Sequence, residues 1–298
     1  SSKVIVLDLS GIPIQPNTEY FLHLEARTKQ AQKGIPENHD VAAEQMKLPW
    51  FKKQEPETLP GSVSMVEQDD ALVISGDHFK AVVSSASGRL TSYQFDGKEM
   101  IADGEGPRPD FWRAPTDNDF GNGMPVRNIN WKKATLAPKL ASLEARGNDR
   151  GGITVTATWE LPDAGSEFRT EYTFHGDGSI RFANRLGASA TEKSNIPRIG
   201  MNLCLPPEFD QLTWFGRGPW ENYNDRNVSA FVDLYSGKAS EQMVPYVRPQ
   251  ENGAKTGVRW AALTNAGGTG WLAVSDNPAK GFEMTAMPYL TADFDAAP

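Results

Sequence analysis

One cysteine in 298 residues leaves no possibility of an internal disulfide framework. Cys204 lies in the apolar run Met201-Asn202-Leu203-Cys204-Leu205, where a small buried hydrophobe is the simplest reading. A lone thiol does not separate cytoplasm from periplasm, and both compartments stay open. No apolar stretch approaches the roughly 18–20 residues that span a bilayer, and Ser1-Ser2-Lys3-Val4-Ile5-Val6 has no signal-peptide pattern, so no membrane association is expected. Those first residues read instead like the interior of a strand, as in a piece of a longer polypeptide. Basic residues are outnumbered 38 to 30, for a net charge of −8. Phosphate binding needs a basic stripe, and its absence argues against nucleic acid. Helical periodicity is also scarce: only Trp131–Glu144 suits a short helix, and Pro138 interrupts it. There is no internal repeat and no low-complexity tract.

What the chain has in quantity is alternation. In Ile153-Thr154-Val155-Thr156-Ala157-Thr158-Trp159-Glu160-Leu161 every second residue is apolar, the signature of a half-buried strand. Residues 168–174 alternate likewise, His175-Gly176-Asp177-Gly178 supplies a turn, and 179–186 return, predicting a meander. Further strand-like runs cover 71–75, 78–84, 90–95, 211–216, 257–264, 270–275 and 281–287, each bounded by Gly, Asp, Asn or Pro. The fold class is therefore all-β, with a large antiparallel sandwich as the natural solution. The first 50-odd residues show three strands, 3–9, 19–29 and 40–48, followed by a Pro- and charge-rich linker over 49–60. Three strands cannot make both halves of a sandwich, so this segment reads as the tail of a domain whose start is missing.

Three polar loops interrupt the alternation. The first is Phe111-Trp112-Arg113-Ala114-Pro115-Thr116-Asp117-Asn118-Asp119-Phe120-Gly121-Asn122-Gly123. Its acids and amide can hold an open loop through Asx-turns, and a hydrogen-bonded turn is favoured over a cation site because the spacing is too tight for an EF-hand. The second is Gly216-Arg217-Gly218-Pro219-Trp220-Glu221-Asn222-Tyr223-Asn224-Asp225-Arg226, and the third Tyr246-Val247-Arg248-Pro249-Gln250-Glu251-Asn252-Gly253. Each combines an aromatic ring with guanidinium, carboxylate and amide groups, the chemistry of sugar recognition. Convergence of the three on one face is expected, with Arg113 bonded to Glu221 or Glu251. The pocket candidates are Trp112, Arg113, Asp117, Asn118, Trp220, Glu221, Asn222, Arg226, Glu251 and Asn252. Trp112 and Trp220, inside polar loops, suit sugar stacking or a subunit interface equally, whereas Trp159, Trp260 and Trp271, inside strands, are assigned to the core.

Taken in order and at their spacing, these loops resemble the C-terminal region of the bacterial β-galactosidases of glycoside hydrolase family 2. The resemblance is good over roughly residues 59–290 and weak over the first 55. It implies that residues 1–55 end an Ig-like β-sandwich and that 56–298 form a galactose mutarotase-like sandwich lacking its last strands. It further implies a parent enzyme that hydrolyses terminal β-D-galactosides such as lactose with retention, as a homo-oligomer. Its two catalytic glutamates lie in an upstream (β/α)₈ barrel, and its Mg and Na are bound outside this region. On that reading the chain holds no catalytic residue, metal or cofactor, and its partners are the rest of the polypeptide and the galactoside. Two other readings stand beside it. One is a free-standing carbohydrate-binding sandwich; the other is an aldose 1-epimerase, which needs histidines converging with a glutamate. Of the four histidines, His23, His39 and His175 read as solvated, and only His78 and His175 stay open for such a role.

Overall fold

The computed structural model describes residues 4–53, 61–187 and 195–295. The chain divides into two compact units, Ser1–Thr58 and Leu59–Pro298. In the first, β1 (Phe21–Arg27) and β2 (Asp40–Lys47) form an antiparallel ribbon that places Leu22 opposite Met46 and Leu24 opposite Glu44. Tyr20 meets Trp50 edge-on, with centroids 5.9 Å apart. The strand expected over 3–9 is not formed by residues 4–9, where Val4 and Val6 are 87% and 89% exposed. A β-branched run becomes a strand only where a neighbour completes its ladder, and among the described residues of this unit the two paired strands are engaged with each other. The expected linker lies partly outside the described residues, at 54–60.

The second unit opens with a five-stranded meander: β3 (Ser64–Gln68), β4 (Ala71–Ser75), β5 (Phe79–Ser84), β6 (Leu90–Phe95) and β7 (Lys98–Glu99). The last turn is Asp96-Gly97, both with positive φ (47° and 77°), the backbone twist that a two-residue hairpin requires. A short β8 (Arg108–Asp110) leads into α1 (Asp117–Gly121), α2 (Met124–Arg127) and α3 (Ile129–Leu136). A second meander follows: β9 (Lys139–Gly147), β10 (Ile153–Leu161), β11 (Ser166–Phe174) and β12 (Ile180–Leu186). Next, β13 (Gly200–Asn202) pairs with β8. The remaining strands are β14 (Gln211–Gly218), β15 (Phe231–Lys238), β16 (Lys255–Val258), β17 (Trp260–Thr264), β18 (Gly270–Val274) and β19 (Phe282–Met284), before α4 (Thr291–Asp295). They form a sheet ordered β15-β14-β17-β18 and the pair β16-β19.

The two meanders pack face to face. Ile74, Ala81, Val83 and Leu90 of one meet Val155, Ala157, Trp159, Phe168 and Tyr172 of the other in one buried cluster. Trp159 Nε1 donates to Ser87 O at 2.8 Å, satisfying the indole inside that core. Phe111 packs edge-on against Phe168 at 5.3 Å, which anchors the start of the first polar loop. A smaller cluster of Leu212, Trp214, Val258 and Ala261 lies beneath the third sheet. All sheets are antiparallel, and no helix among the described residues is long and apolar enough to cross a membrane.

The short helix expected within 131–144 is α3, which ends at Leu136, two residues before the interrupting Pro138, and Lys139 onward is strand β9. Two expectations are corrected. The single run over 257–264 is two strands in different sheets, broken where Gly257 takes φ +57° and Arg259 N donates to Phe215 O. Trp260, assigned to the core, is half-buried on the outward face of its sheet.

Candidate functional site

Thr116 begins the architecture of the first loop. Its hydroxyl accepts from Asp119 N at 3.3 Å while Asp119 Oδ2 accepts from Thr116 N at 3.0 Å, a capping box that starts α1. The expected Asx-turn loop is therefore a one-turn helix. Asp119 Oδ1 also accepts from Arg113 Nη2 at 2.8 Å, so Arg113 is paired within its own loop rather than with Glu221 or Glu251. Asp117 and Asn118 are exposed, with Arg248 Nη1 4.0 Å from Asp117 and its guanidinium 3.7 Å over the Phe120 ring.

The second and third loops are joined through Glu221, which is buried. Its carboxylate accepts from Arg226, from the Tyr246 hydroxyl and from Gly253 N, the last at 2.7 Å. Burial raises its pKa, but these donors outweigh burial and hold the carboxyl below the usual range. Asn222 is fully buried and committed to the backbone: Nδ2 donates to Trp220 O at 3.1 Å, and Oδ1 accepts from Thr256 N at 3.0 Å. Asn252 likewise accepts from Val244 N at 3.0 Å and donates to Gln250 O at 2.8 Å. Beneath them Lys255, 2% exposed, donates to Gly253 O at 3.2 Å and lies 5.4 Å over the Trp214 ring. Burial lowers its pKa to about 8, with Glu221 opposing the shift.

Glu251 takes a partner outside all three loops. Arg198 bonds it at 2.5 Å through Nη2 and reaches Asp110 at 3.4 Å through Nη1. Burial pushes the Glu251 carboxyl up, Arg198 and Arg113 pull it back, and Asp110 adds to the rise. Glu283 of β19 stands in the same field: crowding raises its pKa, Arg198 and Arg113 oppose, and Asp225 adds, although its side chain still meets solvent. Arg198, Asp110, Lys255 and Glu283 were not foreseen, since none belongs to a motif. Among the described residues no three His, Cys, Asp or Glu gather as a metal site.

The three loops do meet, through the third. Glu251 N donates to Ala114 O at 3.2 Å, Asp117 N to Gln250 Oε1 at 3.4 Å, and Asn222 N to Ala254 O at 2.8 Å. Their tryptophans differ. Trp112 is 4% exposed and donates Nε1 to Asp295 Oδ2 at 2.9 Å, so its expected place in an open loop is corrected to a buried one. Trp220, which precedes Glu221 in the chain, is 56% exposed. His78 pairs with Asp96 on an exposed turn, not with a glutamate.

Chemically, the cluster is a polar scaffold: Asp119, Glu221 and Glu251 are each held by a guanidinium, and the second loop presents one exposed indole, Trp220. Three comparisons place it. The chain is 34% identical over 280 residues to a β-galactosidase of Priestia megaterium, covering 93% of this chain and 26% of that protein. It is 33% identical to one from Halalkalibacterium halodurans, covering 85% of this chain and 25% of that protein. It is 31% identical to one from Lactobacillus delbrueckii subsp. bulgaricus, at 92% and 26% coverage. The chain thus spans about a quarter of the length of the relatives it matches. The family model described as beta galactosidase small chain matches residues 75–298, a span that contains all three loops, and the chain belongs to that family.

Proposed function

We propose that this chain is the C-terminal part of a longer retaining β-galactosidase, in which both catalytic glutamates lie outside these residues. The observation that carries the reading is coverage: nearly all of this chain aligns, but to only 26% of the Priestia megaterium protein. In this reading residues 1–55 end an Ig-like domain and the larger unit is a mutarotase-like sandwich that closes one side of the galactoside pocket and contributes to a homo-oligomer. Retaining hydrolysis needs one carboxylate as nucleophile and a second carboxyl group as proton donor, about 5–5.5 Å apart. Glu221 and Glu251 are instead bound by Arg226 and Arg198, which suits loop-holding rather than chemistry. Mg and Na would be held elsewhere in the parent, because Asp110, Asp119, Glu221 and Glu251 already serve arginines. Trp220, the exposed indole of the second loop, is the residue best suited to contact a sugar.

The test is an assay of the purified chain with a chromogenic β-galactoside, paired with a calorimetric titration of galactose. Expected are no turnover above a buffer blank and binding no tighter than about millimolar, roughly −4 kcal/mol, because half a pocket buries only part of its ligand. Turnover abolished by Glu221→Gln or Glu251→Gln would make one of them a catalyst. Micromolar binding lost in Trp220→Ala would make the chain a binding module in its own right.

A further inference from the structure

The sheet β15-β14-β17-β18 covers the smaller core with Leu212, Trp214 and Ala261. An antiparallel sheet with one face on a core normally turns polar side chains to the other. This one does not. Leu234 stands opposite Phe215, Phe215 opposite Trp260, and Trp260 opposite Val274, so one apolar row crosses all four strands. Ala262 and Leu272 extend it over β17 and β18 in the next row, which Thr213 and Ser236 complete. Leu234, Leu272 and Val274 are 58%, 61% and 65% exposed, and Phe215 and Trp260 are half-buried. Single exposed apolar residues are ordinary, but a continuous row marks a surface that is covered in the working protein. Arg217, which donates to Asn227 O and Ala230 O, closes the face two residues beyond Phe215, and the Arg259 guanidinium, which donates to Gly257 O, lies 5.8 Å over the Phe215 ring.

We propose that this face docks an apolar segment of the parent polypeptide that lies outside these residues. The inference rests on the chain being part of a longer β-galactosidase. With about three-quarters of the Priestia megaterium relative's length outside the aligned region, a segment of the same polypeptide is the occupant at hand. A sugar is a poor occupant, because small-ligand sites are concave with convergent polar groups and this row is an open sheet face.

Hydroxyl-radical footprinting of the isolated chain and of the full parent polypeptide tests this directly. Trp260, Leu272 and Val274 should react readily in the isolated chain and several-fold more slowly in the parent. The double variant Leu234→Lys/Val274→Lys should lower the melting temperature of the parent while leaving that of the isolated chain unchanged. Equal reactivity in the two, with a parent unaffected by the double variant, overturns the docking surface and leaves the β-galactosidase reading standing. Concentration-dependent dimers of the isolated chain that vanish in the double variant, with the parent unaffected, give the face to a second copy instead. A reading frame that encodes no longer polypeptide removes the β-galactosidase reading and this proposal with it.

Discussion

Lys255 gives the site a pH signature that can be worked out in advance. Burial lowers its pKa to about 8 from the ordinary 10.5, against an opposing pull from Glu221. Above about pH 10.5 the side chain is neutral in both folded and unfolded chains and makes no difference between them. Between about 8 and 10.5 the unfolded chain holds a proton that the folded one has released, so stability rises with pH in that window. Below about 8 both states are protonated and the full penalty of the buried ammonium is present, about 3 kcal/mol at ~1.4 kcal/mol per pH unit. Lys255 is 2% exposed, so solvent screening does little to reduce this figure. The measurement is urea unfolding of the wild-type chain and of Lys255→Met from pH 7.5 to 10. Between pH 8 and 10 the wild type should gain about 2 kcal/mol relative to the variant. Cys204, whose thiol burial pushes up, works in the opposite direction, but it is common to both proteins and cancels in the difference. A stability difference that stays flat across that range would show that the ammonium is not desolvated, and the reasoning would fall.

Much of the fold was legible because burial on one face imposes a period of two. β10, β11 and β12 were read close to their limits for that reason. β9 shows no regular alternation because a bulge at Thr158/Trp159 brings both Leu140 and Leu143 onto the core side, a spacing of three rather than two. β15 was missed because its outward residues are apolar too: Phe231-Val232-Asp233-Leu234-Tyr235 shows no alternation when Leu234 belongs to the exposed row. The site divides in the same way. Glu221 with Arg226 lies within one motif, five residues apart. Glu251 with Arg198 spans 53 residues, and Arg198 is delivered by the chain entering β13, which pairs with β8 beside Asp110. Arg113 was assigned the wrong acid although Thr116-Asp117-Asn118-Asp119 carries the capping-box spacing that fixes Asp119 next to it.

Two further predictions concern which polar groups hold the site. Arg198→Met leaves Asp110 and Glu251 buried without their cation and should cost about 3–5 kcal/mol in urea unfolding at pH 7. Adding Asp110→Asn and Glu251→Gln should recover most of it, and a cost below about 1 kcal/mol in the single variant would mean the acids are solvated. The tryptophans separate packing from recognition. Trp112 is buried and its Nε1 is satisfied by Asp295, so Trp112→Ala should cost about 3–5 kcal/mol through the cavity it leaves. Trp112→Phe keeps most of the ring volume and removes the indole donor, so it should cost less, about 1–2 kcal/mol. Trp220 is more than half exposed, and Trp220→Ala should change stability by no more than about 0.5 kcal/mol. If Trp220→Ala instead destabilises the chain as much as Trp112→Ala, the exposed indole is a packing residue and its assignment to sugar contact fails. A neutral Trp220→Ala that weakens galactoside binding in the parent polypeptide supports that assignment, because a residue that adds nothing to stability and something to affinity acts on the ligand.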